Sequence, residues 1–394
     1  MLLRLANRDN VAVAGSLIGL VSLLLAWLTL KPNRIAAGTG LPIWEGFDWT
    51  GAAIIIALWI TSFGLSLAGK KRPQALGLGI TANVIIIVSF LFTGLSAARL
   101  LQQGSAAAAR VSLGAGFWVT LVGAYVVIFG ARHVIGEPRL WKNLIAWTGL
   151  SVTVLLLLTG WLNNLSVMQE FIGREERFLQ ELLQHIFLFG GSVVVGTIIG
   201  VSLGIWAARS RRTEKPVFYF SNITQTIPSL ALFGLLIAPL SALSFSFPML
   251  REIGIRGVGP APAFIALVIY SLLPIVRNTY VSLRQVDPAV IDAGLGMGMS
   301  RRQVFRKVEV PLATPIVLEG VRIASVQSVG LAAVAALIGA GGLGWFIFRG
   351  VGQAANDLIL LGAIPIIILA LVVDATMRAI IRVATPKGLA GVSQ

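Results

Sequence analysis

Of 394 residues, 56% are hydrophobic and only 12% are charged, where a soluble domain carries roughly a quarter charged residues. Most of the chain therefore cannot face water, and no polar stretch is long enough for a separate soluble domain. The formal charge of +15 sits in short clusters between apolar runs. That is the pattern of loops held against translocation and facing anionic membrane lipid, and it argues against nucleic acid as a partner. Cysteine is absent, which excludes disulfides, thiolate nucleophiles and Cys-ligated metals. His133 and His185 are the only histidines, and neither has a second histidine or a carboxylate cluster at ligand spacing. No metal and no other cofactor is expected.

Arg4 and Arg8 precede an uncharged run at 11–30. A secretory signal has an apolar core of about 7 to 15 residues, so this longer run is expected to be a retained first span. Four more runs near 20 residues follow, at 51–69, 76–95, 111–130 and 144–162. The stretch 163–184 carries Glu170, Glu175, Glu176 and Glu181 with Arg174 and Arg177, too polar to span and expected to form one amphipathic helix on the outer side. Five further runs, at 186–207, 217–243, 261–275, 317–341 and 358–373, complete an all-α, polytopic bundle of about ten transmembrane helices. The expected layout is a five-span extension at 1–163, a connector at 164–182, a five-span core at 183–386 and a tail at 387–394.

With a cytoplasmic start, the larger share of the 31 Lys and Arg residues falls on inner segments, notably around Lys70, Arg211 and Arg301. The positive-inside rule then places both termini in the cytoplasm. The two blocks differ in texture: the first is uninterrupted, whereas Pro228, Pro274 and Pro365 lie within or at the ends of runs in the second. Interrupted helices at membrane depth meet protein or line a water-filled path, so function is expected in the second block. Gly196, Gly200 and Gly204, at four-residue spacing, are expected to serve close helix packing.

The longest inner loop, 287–311, has the pattern of two short helices around a glycine-rich corner. Asp287 can cap the first, with Pro288 at the favoured first helical position. Ser300 and Gln303 have capping-box spacing for the second, which Pro311 is expected to close. Its apolar residues Val304, Phe305 and Val308 alternate with bases. Such a pair suits either a groove on a soluble partner or the surface of anionic lipid.

The stretch IDAGLGMG at 291–298, followed by Gln303 and Val310–Pro311, resembles the EAA loop of permease subunits in ATP-binding-cassette importers. The resemblance places the Glu-Ala-Ala triplet on Asp292, Ala293 and Gly294, the following glycine on Gly298 and the proline on Pro311. With Ser300 and Gln303 these form the expected ATPase-coupling set. Asp for Glu keeps the charge, while Gly for Ala loosens the helix by up to about 1 kcal/mol. The stretches QTIPSLALF at 225–233, LPIVRNTY at 273–280 and GAGGLGWFIFRG at 339–350 are similar to the osmoprotectant branch, which imports glycine betaine, choline and related solutes. The resemblance covers roughly 181–383, and some permeases of that branch carry an N-terminal extension.

What the resemblance implies is a type I importer core in a bacterial inner membrane. It works with cytoplasmic ATPase subunits, an extracytoplasmic solute-binding protein and a second permease subunit, identical or different. The chain has no Gly-x-x-x-x-Gly-Lys-Ser/Thr loop, so it is expected to be a transport subunit and not itself the ATPase. Thr224, Gln225, Thr226, Ser229 and Asn278 are candidates for the translocation path, with interhelical hydrogen bonding as the alternative role. Glu319 and Arg322, three residues apart, suit a structural ion pair. Tyr219, Phe220, Tyr270 and Trp345 are the aromatic residues nearest to what a quaternary ammonium would need. An amino-acid or methionine importer is the runner-up. An ion-coupled transporter would favour mid-membrane acids, which the spans lack, and a membrane enzyme would need a catalytic cluster, which is not found.

Overall fold

The computed structural model describes residues 9–103, 108–136 and 139–386. Arg4, Arg8 and the expected tail at 387–394 lie outside the described residues. The chain divides into two compact units, Met1–Gly173 and Arg174–Gln394.

The first unit opens with helix α1, Asn10–Ser22. Its 13 residues reach about 20 Å, short of the roughly 30 Å hydrocarbon layer. The run at 11–30 is therefore not one span. The chain turns after Ser22, where the buried Trp27 donates its indole N–H to the Ser22 carbonyl at 2.9 Å. The rest of the apolar run then forms strand β1, Leu28–Lys31. This strand pairs antiparallel with β2, Thr39–Leu41, and with β3, Arg110–Leu113, in the order β2-β1-β3. Hydropathy alone does not separate a short buried strand from the end of a helix.

Between and beyond the strands lie α2, Asp48–Leu67, α3, Arg72–Gln102, α4, Ala115–Ile135, α5, Arg139–Leu158, and α6, Ser166–Ile172. One polar contact fixes α5 to α3. The buried Asn83 donates Nδ2 to the Ile145 carbonyl at 2.9 Å and accepts the Gly149 N–H at 2.6 Å. Its amide thus answers both partners of one helical i, i−4 pair in α5. From the segment between β1 and β2, Arg34 Nε reaches Glu170 Oε1 on α6 at 2.5 Å.

In the second unit, α7, Glu175–Ile186, passes through a widened π turn, Phe187–Gly191, into α8, Ser192–Arg209. The polar stretch 163–184 is thus not a single connector helix. It breaks at Gly173, and its second half forms the first turns of a continuous helix of 35 residues, Glu175–Arg209. Helices α9, Arg211–Thr226, and α10, Ser229–Ser246, replace the single span expected at 217–243. Next come α11, Pro260–Arg284, and α12, Pro288–Gly296, then α13, Arg301–Val304. A second π turn, Phe305–Glu309, joins α13 to α14, Val310–Val334, and a 3-10 turn, Ala335–Ile338, ends that helix. Helices α15, Gly344–Gly352, and α16, Asn356–Ala384, close the unit.

Among the described residues, nine helices are long and apolar enough to cross a membrane, with α1 as a shorter apolar helix. The fold is mostly helical, as composition requires, apart from the small sheet. Helix α8 packs on α11 through the spaced glycines. A Cβ at Gly196 would fall 1.8 Å from Ser271 Oγ, one at Gly200 2.9 Å from Ile275 Cγ2, and one at Gly204 2.5 Å from Thr279 Cβ. Their packing role follows from those distances, since no side chain fits along that seam. Helix α14 crosses α11 where Gly320 meets the Pro274 carbonyl and Asn278. Leu232, Phe233, Leu267, Tyr270 and Val329 fill the apolar core between α10, α11 and α14.

Candidate functional site

The loop at 287–311 forms the two capped helices that its spacing predicts. Asp287 Oδ1 accepts the Ala289 N–H at 2.8 Å, with Pro288 in the first turn of α12. Gly298 turns the corner at φ +84°. Ser300 N–H donates to Gln303 Oε1 at 2.7 Å, and Gln303 N–H returns to Ser300 Oγ at 3.4 Å, completing the box at the start of α13.

Two expectations about this loop are corrected. Pro311 does not close the second helix. It lies in the first turn of α14, which continues α13 through Phe305–Glu309, and widening of the preceding turn accommodates the proline ring without ending the helix. The apolar side of the second helix is also not free for a partner. Val304 is buried against Gly294, and Phe305 carries the Arg209 guanidinium 4.1 Å above its ring. Asp292 and Ala293 are exposed; of the large apolar side chains, Val290, Leu295 and Met297 on the first helix and the corner are exposed, as is Val310 at the start of α14.

The break between α9 and α10 falls at Ile227–Pro228. Proline cannot donate and disfavours helical geometry in the residue before it, so the carbonyls around it need other partners. Tyr270 on α11 supplies one: its hydroxyl donates to the Ile227 carbonyl. Gln225 Nε2 in turn donates to the Tyr270 carbonyl at 2.7 Å. Broken backbone at this depth is thus satisfied by the neighbouring helix, as a hydrocarbon environment demands.

The five path candidates are not gathered around one cavity. Only Gln225 bonds another helix. Thr224 and Thr226 donate to carbonyls of their own helix, at Ser221 and Ile223, at 2.9 and 2.7 Å. Ser229 opens α10, and Asn278 donates to the Pro274 carbonyl at 2.8 Å, one turn back. None of the five lines the cleft of about 640 Å³ at the end of the unit far from the loop, walled in part by Phe187, Ile253, Val258, Phe264 and Gly339. The aromatic candidates do not form a cage either. Tyr270 is buried with its hydroxyl engaged, and Trp345 already meets the guanidinium groups of Arg177 and Arg349 at 4.7 and 4.9 Å.

Glu319 and Arg322 pair at 2.6 Å, as their spacing predicts. Sequence reading missed that Arg322 Nε also meets Asp374 Oδ1 at 2.6 Å, and that Asp374 Oδ2 takes Arg378 at 2.7 Å. The signal was the i, i+4 acid–base pair Asp374–Arg378, which lies past the end of the run expected at 358–373. Also missed was Glu181, a buried carboxylate that accepts the Gly342 N–H at 2.6 Å across the far end of the unit.

Comparison with known proteins decides the family. Residues 200–386 match the family described as binding-protein-dependent transport system inner membrane component. Residues 7–168 match the ABC transporter permease YehY, N-terminal domain. Over 211 residues the chain is 38% identical to the glycine betaine/carnitine/choline transport system permease protein OpuCB of Bacillus subtilis (strain 168), covering 54% of this chain and 90% of that one. This chain belongs to the ABC transporter permeases.

The permease is also 40% identical over 206 residues to the osmoprotectant import permease protein OsmW of Salmonella typhimurium, covering 52% of this chain and 91% of that protein. Among solved structures, one of the MetNI methionine ABC transporter matches at 22% identity and a TM-score of 0.46, over 54% of this chain and 98% of that chain. It is a multi-pass, non-catalytic subunit of the inner membrane. An ABC permease works with ATPase partners, so the energy for transport enters from outside this chain.

Proposed function

We propose that this permease carries a small osmoprotectant of the glycine betaine or choline type into the cell by ATP-driven alternating access. The observation that carries the reading is the 35 to 40% identity, over 206 to 211 residues, to permeases named for glycine betaine, carnitine, choline or osmoprotectants. In this reading the 287–311 loop and the end of α16 face the cytoplasm, and the far end of the second unit faces outside. Asp292, Ala293, Gly294, Gly298, Ser300, Gln303 and Pro311 form the coupling element. Its exposed Val290, Leu295 and Met297 enter a groove on the ATPase, the usual way a short helix presents apolar anchors to a partner.

An outer solute-binding protein delivers the solute, and a second permease subunit completes the path. Gln225, Thr224, Thr226, Ser229 and Asn278 flank that path at and below the Ile227–Pro228 break. Residues 1–163 are an extension, 164–182 a connector and 183–386 the transporting core. Uptake of labelled solute in cells expressing the complete transporter tests the assignment. Competition by unlabelled glycine betaine or choline is expected to exceed competition by methionine or histidine. The reverse order would move the permease to the amino-acid importers.

A further inference from the structure

The second unit contains two continuous helices that run in opposite directions between the coupling loop and the far end. Glu175–Arg209 has 35 residues and Arg301–Ile338 has 38, about 52 and 57 Å of helix. They are joined at both ends, but unequally. At the loop end, Arg209 lies over the Phe305 ring at 4.1 Å and stands 3.6 Å from Glu309, with its side chain 54% exposed. An exposed, long ion pair of this kind contributes little and yields easily.

The far end is built differently. Glu181 is only 4% exposed. It accepts the Gly342 N–H on Oε2 at 2.6 Å, and Arg177 Nη2 meets its Oε1 at 2.6 Å. Gln184 Nε2 donates to the Ala340 carbonyl at 3.1 Å, and His185 Nε2 lies 3.1 Å from the Val329 carbonyl, which can only accept, so that nitrogen carries the proton. Arg177 lies 4.7 Å over the Trp345 ring. The segment held in this way is shaped to be held. Gly341 and Gly342 adopt φ of +76° and +85°, and a Cβ there would stand 2.9 Å from Glu181 Oε2 and 3.0 Å from His185 Nδ1. Arg177 is itself 48% exposed and lies on the same helix as Glu181, so the joint rests on the buried, charge-assisted bond from Gly342 to Glu181, which is of the strong kind. Of the two joints, the far one resists movement.

That joint also borders the 640 Å³ cleft. Gly339 lines it, and so does the neighbouring Gly259, whose N–H donates to the Ile338 carbonyl at 3.0 Å. Movement of the segment 339–342 therefore moves a wall of the cleft. Force applied at the coupling loop reaches that segment directly, because Arg301–Ile338 is unbroken and ends where the segment begins.

We propose that Glu181 is the positioning residue of an outer latch. Its bond to Gly342 holds the glycine-rich segment closed beside the far-end cleft, and movement of the coupling loop releases it during each transport cycle. The proposal rests on the reading that the far end faces outside.

The test uses the assembled transporter, with its ATPases, in proteoliposomes. Glu181→Gln retains an acceptor for the Gly342 N–H but loses the charge and the Arg177 pair, so solute-free ATP hydrolysis is expected to rise several-fold. In the cysteine-free chain, Arg177→Cys with Trp345→Cys can be bridged by a short bifunctional thiol reagent that reduction removes. Bridging is expected to abolish solute-stimulated hydrolysis and uptake, with recovery on reduction. Full activity of the bridged transporter would show a static contact and overturn the latch. Failure of the resting transporter to bridge would do the same, since the closed latch holds these side chains together. Because solute-free hydrolysis is one readout, a mistaken solute leaves that arm intact. Solute-free hydrolysis left unchanged by Glu181→Gln would overturn the latch.

Discussion

Gly294 and Val304 face each other across the corner of the 287–311 loop, where a Cβ built on Gly294 would lie 3.2 Å from Val304 Cγ2. Gly294 is the third residue of the triplet, and the missing methyl is what allows the second helix to lie close on the first. The cost in helix propensity, up to about 1 kcal/mol relative to alanine, is offset by burial of Val304, which is 1% exposed.

The first prediction follows from that pair. Gly294→Val crowds Val304 and is expected to lower uptake strongly without lowering the amount of permease in the membrane. Val304→Ala removes the crowded methyl groups and should restore much of the loss in the double variant, the coupling expected of residues in contact. Equal uptake by the Gly294→Val single variant and the double variant would show that the two helices do not act through this contact.

At Gly298 the constraint is conformational. Its φ is +84°, and a Cβ there would meet nothing within 4 Å. The left-handed region costs an L-residue roughly 1–2 kcal/mol, least for Asn and most for β-branched residues. Uptake should therefore fall in the order Asn, Ala, Val at position 298. A flat series, read with ATPase co-purification, would remove the corner from the coupling mechanism.

Much of this architecture was legible because span length and apolar composition are properties of the chain itself. The runs at 76–95 and 261–275 lie within Arg72–Gln102 and Pro260–Arg284, and the run at 51–69 overlaps Asp48–Leu67 but passes its end by two residues. The capping box was readable because Ser300 and Gln303 are three residues apart. What could not be read depended on partners distant in sequence. The run at 11–30 hid a strand because β3 lies 80 residues on. Pro228 announced a break, but nothing local indicated that Tyr270 would satisfy it. Pro311 signalled an end that the π turn before it removed. Glu181 appeared to be one more charge of a polar connector, because its partner Gly342 lies 161 residues away.

The Tyr270 contact gives the third prediction. Tyr270→Phe removes only the hydroxyl that meets the part-buried Ile227 carbonyl and leaves that carbonyl without this partner. The expected loss is about 1–3 kcal/mol, read as a lower Tm of the detergent-solubilised permease. Gln225→Leu should lower it in the same direction, since the donor to the Tyr270 carbonyl is lost. An unchanged Tm in both variants would show that the break is held by other groups.

The ion network predicts an order. Asp374 meets both Arg322 and Arg378, and its side chain is 19% exposed, against 40% for Glu319. Asp374→Ala leaves Arg378 without this partner and Arg322 with Glu319 alone, and should give the largest loss of the three, about 1.5–3 kcal/mol as for hydrogen bonds to a charged group. Glu319→Gln should cost no more than about 1 kcal/mol, as for a partly exposed pair. Arg322→Lys should fall between, because one ammonium cannot reproduce the separate Nε and Nη1 contacts. Thermal unfolding of the three variants checks the order, and a larger loss for Glu319→Gln than for Asp374→Ala would reverse it.

The last prediction concerns the extension. The relatives match this permease over about 210 residues and are covered to 84–91% of their own length, which leaves no room in them for a block the size of the first unit. Transport by this core should therefore not depend on helices α1 to α4. A shortened chain must still deliver Glu175–Arg209 to the membrane from the outer side, so it needs one outward-going span before it. Beginning at Arg139 keeps α5 for that purpose, with Arg139 and Lys142 as inner bases. Removing α3 takes away Asn83, yet its two contacts in α5 are the Ile145 carbonyl and the Gly149 N–H. Those groups are an i, i−4 pair and can bond each other, so α5 keeps its backbone satisfied. Insertion and ATP-dependent uptake are expected to survive the truncation, with the response to external osmolarity altered. A correctly inserted, ATPase-bound short chain with no uptake would place helices α1 to α4 in the transport machinery itself.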